Sequence, residues 1–416
     1  MDVVSPVQKT ILGVQMLFVA FGALVLVPLL TGLDPSLALL TAGAGTLLFQ
    51  LITGGTIPIF LASSFAFIAP IQYGMKTFGV AATLGALICT GLVYTLLSAG
   101  VRLGGIGTIK KYLPPIVTGP VIMVIGLKLA PVAVRMARSF DGSGCMDARA
   151  MLLSTISLAT AIIAVMFGKG LIRVIPILCG IAVGYVFAFF MGVIDFSAVY
   201  SAAWISNPWD IAVANGSFAI PRFEWTAIVF MLPVAIAPAI EHVGDILAIS
   251  SVTGKDFIKS PGLHRTLLGD GLATSLAALL GGPPNTTYSE VTGAVALTRA
   301  FDPVYMRIAA VTAILLAFVG KLGGLLKTIP TPVMGGILIL LFGMIAVIGV
   351  GALIRGNVDM SRPRNLVIAA VILVAGIGDM ELCCGRLTLS GIGLAGLLGV
   401  ILNLVLPADK PDSRIE

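Results

Sequence analysis

Three acids sit inside long apolar stretches of this chain. Glu241 and Asp245 belong to the run Pro238-Ala-Ile-Glu-His-Val-Gly-Asp245, and Glu290 follows Tyr288-Ser289. Asp245 lies one helical turn after Glu241, so the two carboxyls share a helix face. An acid at membrane depth costs about 2.5–3.5 kcal/mol on insertion scales, which calls for a proton, a polar ligand or a wet cavity. A protonated carboxyl donates one hydrogen bond and accepts others, a pattern suited to a planar amide-like ring. These residues point to Glu241 and Glu290 binding a polar substrate, with at least one acid carrying a proton. The competing reading is structural, with the acids neutralised by Lys128 or Lys321 or capping a helix, and Asp245 only orienting a partner. His242 points about 100° away from Glu241 around the helix and reads as an interhelical hydrogen-bonding residue more readily than as a proton relay.

Other chemistries find little support. Gly281-Gly282-Pro283-Pro284 lacks the Lys-Ser/Thr ending of a phosphate-cradling loop. The five cysteines, Cys89, Cys145, Cys179, Cys383 and Cys384, have no metal-ligand spacing and read as free thiols. An enzyme would need a nucleophile–base pair or a metal cluster, and two histidines without ligand spacing supply neither. No enzyme activity and no cofactor are expected beyond H+ as a coupling ion. The net charge of +6 does not imply nucleic acid, because Lys and Arg collect in the cytoplasmic loops of membrane proteins.

The elements that must position these acids are membrane spans. Of 416 residues, 58% are hydrophobic and 11% charged, too little charge to keep a soluble surface in water. Apolar runs of about 20 residues recur along the chain, each enough to cross a hydrocarbon core. Dividing them at charged and Pro/Gly-rich breaks predicts about fourteen spans. Among them the third covers 57–75, the eighth 225–250, the ninth 266–282, the tenth 286–298, the thirteenth 365–378 and the fourteenth 388–406. The third and tenth read as interrupted and the thirteenth as short. The start, Met1-Asp-Val-Val, has no basic n-region, so no cleaved leader is expected.

With an even number of spans, the loops on the side of the termini hold sixteen Lys and Arg against eight on the other side, with Lys128 near a helix end. Positive loops stay inside, which puts both termini in the cytoplasm. The longest loop, 195–224, carries Trp204, Trp209 and Trp225 near its ends, as expected of interfacial anchors. It divides the chain into halves of about seven spans, and an odd number per half inverts the second relative to the first. Inverted repeats place a site at the bilayer midplane, where broken helices meet. Two segments fit such breaks: Ile57-Pro58-Ile-Phe-Leu-Ala-Ser63-Ser64-Phe65-Ala-Phe67-Ile-Ala-Pro70, and Gly281-Gly-Pro-Pro-Asn-Thr-Thr-Tyr-Ser-Glu290. Proline removes a backbone donor and disfavours helix in the residue before it, and Ser64-Phe65 and Thr287-Tyr288 favour extended backbone.

Glu290-Val-Thr-Gly293 with Thr298-Arg299 five residues on resembles the signature of the nucleobase–ascorbate transporters. An acid in the first position followed by Thr-Arg is similar to the bacterial uracil permeases of that family. So are Glu241-His-Val-Gly244, Ser63-Ser-Phe-Ala-Phe67, Pro261-Gly-Leu-His-Arg265 and Ile329-Pro-Thr-Pro-Val-Met-Gly-Gly336. The likeness covers nearly the whole chain.

The resemblance implies an all-α membrane fold of fourteen spans in 7+7 inverted repeats, with two short antiparallel strands in broken spans three and ten. The core domain takes 11–110 and 225–326, the gate domain 111–200 and 327–406, and 201–224 is an outer loop. Glu241 and Glu290 would hold a pyrimidine edge, and the backbone N–H groups of Phe65 and Ser289 would meet its carbonyl oxygens. Glu290 is the favoured proton-coupling residue, with Glu241 and Asp245 beside it. The implied function is proton-coupled import of a nucleobase, uracil first, by alternating access in a bacterial-type inner membrane, as a homodimer. Xanthine, uric acid or another oxo-base is the runner-up substrate. Other classes are a non-transporting nucleobase sensor and an anion exchanger of the same fold.

Three positions depart from the related permeases, which often have His at 245, Gly at 289 and a first-span His where Met16 stands. An Asp at 245 is expected to repel an ionised Glu241 or share a proton with it. Ser289 adds a side chain beside the substrate.

Overall fold

The computed structural model describes residues 5–407 apart from 106, 108–111 and 385–386. Met1, Lys110, Lys111, Arg386, Lys410 and Arg414 lie outside the described residues, as do the side chains of Cys383 and Cys384.

The chain is mostly helical. In chain order the spans are α1 (Pro6–Thr31), α2 (Pro35–Ile52), a broken unit of β1 (Leu61–Ser63) and α3 (Ile68–Thr77), α4 (Gly79–Gly104), α5 (Pro115–Arg138), α6 (Ala148–Phe167) and α7 (Pro176–Phe190). The second half has α8 (Trp225–Thr253), α9 (Leu263–Leu279), a second broken unit of β2 (Asn285–Thr287) and α10 (Ser289–Thr298), α11 (Val304–Ala317), α12 (Thr331–Arg355), α13 (Pro363–Ile377) and α14 (Gly391–Val405). Among the described residues, seven helices are long and apolar enough to cross a membrane, and α7, α11, α13 and α14 are shorter apolar helices.

The packing repeats under a shift of seven spans. α4 packs on α9, and correspondingly α11 on α2. α6 packs on α7 and on α12, as α13 packs on α14 and on α5. α1 packs on α11 as α8 packs on α4, while α2·α9 and α5·α12 are each their own counterpart. Small residues permit the close approaches, since lipid supplies no hydrophobic drive between helices. A Cβ at Gly91 of α4 would run into the Gly271 carbonyl of α9, and one at Gly271 into the Gly91 carbonyl.

The two strands pair antiparallel in the register Leu61↔Thr287, Ala62↔Thr286 and Ser63↔Asn285, extended by Ser64 N–H donating to Pro284 O at 2.9 Å. Extended backbone at this depth survives only where its polar groups find partners. Each strand finds further partners on the helix before it: Leu61 N–H donates to Thr46 Oγ1 (2.9 Å), and Thr274 Oγ1 donates to Asn285 O (2.6 Å). Gln50 Nε2 donates to Ile57 O (2.7 Å), and Asn285 Nδ2 to Thr41 O (2.8 Å).

Several expectations need correction. The eighth span is not a plain helix: a 3-10 turn at Leu232–Ala235 interrupts it where Pro233 removes a donor. The fourteenth helix begins at Gly391 and not at 388, because Glu381–Cys384 and Leu387–Ser390 form a β-hairpin. Trp209 is half-buried, and its Nε1 donates to Leu280 O at 3.0 Å, tying the outer loop to the end of α9. Trp204 and Trp225 are exposed. Buried Asp34, which caps α2, receives Lys327 Nζ at 2.7 Å, linking the α1–α2 turn to the segment that leads into α12.

Candidate functional site

Glu241 and Glu290 come together where α8 passes the junction of β2 and α10. Glu241 stands within electrostatic reach of Asp245, Glu290 and Asp270. Both glutamates are only partly buried, and neither forms an ion pair among the described residues. The lysines that could have tied them off are engaged elsewhere: Lys128 pairs with Asp379, and Lys321 Nζ donates to the carbonyls of Val199 (2.6 Å) and Tyr200 (3.2 Å).

Two helix starts face each other across the paired strands. Phe65 opens a 3-10 turn and Ser289 opens α10, and neither helix start has a side-chain cap. First-turn N–H groups have no intrahelical acceptor, so Phe65 and Ser289 each present a donor. Aromatic rings close the space beside them. The Phe65 ring lies 6.4 Å from that of Tyr288 and 6.1 Å, edge-on, from that of Phe342 on α12.

Asp245 is buried and engaged by hydroxyls. Thr287 Oγ1 donates to its Oδ2 at 2.8 Å, and Ser289 Oγ donates to its Oδ1. Asp245 also stands within electrostatic reach of Glu241, one turn before it on α8. Thr287 has one hydroxyl proton, already given to Asp245, so His242 Nδ1, 3.3 Å from Thr287 Oγ1, faces it as a donor. The same Nδ1 lies 3.4 Å from Asp270 Oδ2, with both side chains fully buried. His242 thus lies between Thr287 of β2 and Asp270 of α9. Met16 is buried apolar packing within α1.

Asp270 and Phe342 were not singled out in the sequence. Asp270 had a signal: an acid inside the ninth span, between Gly269 and Gly271, the latter at the α4–α9 contact. Phe342 had none, since an aromatic in an apolar helix is indistinguishable from core until the partner segment is in place.

A cavity of about 200 Å³ leads away from Glu290 along α10. Phe18, Ile177, Gly293, Leu297 and Leu341 line it, and Arg173 stands among its lining residues. Glu241, Phe65 and Ser289 are not among the residues lining that cavity; they gather beside its Glu290 end, where two carboxyls, two backbone donors and aromatic faces converge. Among the described residues no cluster of three metal-ligating side chains occurs, and Cys89, Cys145 and Cys179 are free thiols.

Comparison with known proteins fits this geometry. The chain is 55% identical over 98% of its length, and 96% of the relative's, to a protein of Haemophilus influenzae described as "Probable uracil permease". It is 46% identical to the "Uracil permease" of Bacillus caldolyticus, covering 96% of this chain and 92% of that one. Among solved structures, the transmembrane domain of the cyanobacterial bicarbonate transporter BicA superposes with a TM-score of 0.64 at 14% identity, covering 96% of this chain and 97% of that one. That likeness establishes the fold, fourteen spans in two inverted sevens. The Permease family model matches residues 7–383, and the chain is a multi-pass membrane permease, not an enzyme. It belongs to this family of permeases, the nucleobase–ascorbate transporters.

Proposed function

We propose that this protein is a proton-coupled symporter that imports uracil by alternating access. The observation that carries the reading is the pair of uncompensated glutamates, Glu241 and Glu290, beside two helix starts whose N–H groups are free to donate. A uracil ring alternates C=O and N–H along its edge, so carboxyl acceptors and amide donors match it in kind. Kinship with uracil permeases favours that base over xanthine or uric acid.

The coupling proton is assigned to Glu290 and Glu241, whose carboxyls lack a cationic partner; Asp245 has both oxygens occupied by hydroxyls. The set packed around α2, α4, α9 and α11 acts as the core, and the set around α5, α6, α12 and α13 as the gate. Rocking one set against the other opens the midplane site to alternate sides. The anion-exchanger alternative borrows support from the fold of a bicarbonate transporter, but Glu290 in the first turn of α10 and Glu241 beside it disfavour an anion there.

Uptake of labelled uracil into proteoliposomes tests the proposal. An inside-alkaline gradient should drive accumulation, with unlabelled uracil competing better than xanthine or uric acid. Equal accumulation with and without the gradient refutes proton coupling. Binding without any uptake converts the protein into a sensor, and stronger competition by xanthine replaces the substrate.

A further inference from the structure

We propose that Asp245 and Ser289 form a positioning pair, in which the Asp245 carboxylate holds the Ser289 and Thr287 hydroxyls and thereby sets the spacing of Glu241 and Glu290 around the base. The inference rests on the reading of those two glutamates as base-binding groups.

The periodicities of helix and strand produce the geometry. Asp245 is four residues after Glu241, hence one turn along the same face of α8. Tyr288 is extended, with φ −122° and ψ 110°, so Thr287 and Ser289 on either side of it project the same way. One carboxylate can therefore take both hydroxyls, Thr287 at Oδ2 and Ser289 at Oδ1. Tyr288, projecting oppositely, meets the Phe65 ring instead. Asp245 is 4% exposed, so both hydrogen bonds form away from bulk water, where a lost partner is costly. They join α8 to the two residues that precede Glu290. They also turn the Ser289 hydroxyl toward α8, leaving its backbone N–H as the group offered to a ligand.

The test is a double-mutant cycle in the full-length protein, read by calorimetry. The ligand is whichever of uracil, thymine, xanthine and uric acid the wild type binds tightest. Ser289→Ala should weaken affinity about tenfold, Asp245→Ala at least as much because it also frees Thr287, and the double variant no more than Asp245→Ala alone. Asp245→Asn, whose amide can still engage both hydroxyls, should stay within about threefold of wild type. Additive losses of about a hundredfold, or single variants with unchanged affinity, overturn the pair. A second readout needs no ligand: the infrared carboxylate band removed by Asp245→Asn should shift in Ser289→Ala. An unmoved band also overturns the pair. A wild type that binds none of the four bases sinks the substrate reading alone, and the infrared result then decides the pair.

Discussion

Glu241 and Glu290 differ in what surrounds them, and their variants should fail differently. Glu290 lines the cavity along α10, whereas Glu241 is not among its lining residues. Glu290→Gln should therefore keep uracil exchange yet lose accumulation driven by a pH gradient, measured as the inside-to-outside ratio of label in vesicles. A ratio that still follows the gradient removes Glu290 from coupling. Glu241 lies on α8 among three other acids. Truncating it to Ala deletes a charged hydrogen-bonding group from the site, a loss of about 1.5–3 kcal/mol, or roughly 10–100-fold in affinity. Calorimetric titration with uracil checks this, and unchanged affinity would take Glu241 out of the pocket. At this scale the sequence was informative where a residue was out of place in its solvent: acids in lipid announce themselves. Hydroxyls do not. Ser289 was singled out for its backbone N–H and added bulk and Thr287 for extended backbone, and only the approach of Asp245 gives their hydroxyls a task. Asp270 was readable on the same ground as the glutamates, but its pairing with His242 required α8 and α9 to be placed side by side.

The broken units are the elements on which the site depends, and a hydroxyl on the helix before each helps to hold it. Thr274→Val removes the donor to Asn285 O while keeping shape. A buried carbonyl left unpaired costs about 1–3 kcal/mol, so thermal unfolding in detergent should shift down by several degrees. An unchanged midpoint would mean that water or relaxation satisfies the carbonyl. Gly271→Leu should be worse, because the α4–α9 contact has no room for any side chain, and the expected outcome is loss of folded protein on size-exclusion chromatography. Retained monodisperse protein would contradict the packing. Prolines and β-prone residues made both breaks legible, since their effects are local. The 3-10 turn in α8 and the hairpin before α14 escaped, for opposite reasons. Pro233 sits in an otherwise strong apolar helix, and Leu387–Ser390 is apolar enough to pass for the first turn of a span.

For the whole molecule, span count and inversion follow from counting apolar runs and noting an odd number per half. Which helices touch does not follow, because an all-round apolar helix gives no clue to its buried face. Orientation rests on loop charge and has a direct test. Alkaline phosphatase fused after Val405 should be inactive, and the same enzyme inserted within 201–224 should be active. The reverse pattern would turn the molecule over. The Asp34–Lys327 link raises a separate point about stability. Lys327→Gln strands a carboxylate that is 1% exposed, and the melting temperature should fall measurably. An unaltered melt would mean that Asp34 finds solvent or a proton.

The crossed strands also impose an order on biogenesis. Leu61–Ser63 emerges from the ribosome long before Asn285–Thr287, its hydrogen-bonding mate, has been made. During that interval the first half holds unsatisfied main chain in a greasy medium, where each such group is worth several kcal/mol. A nascent chain truncated before the second break should thus linger on insertion machinery or be degraded, and the transport centre comes into being only as translation nears its end.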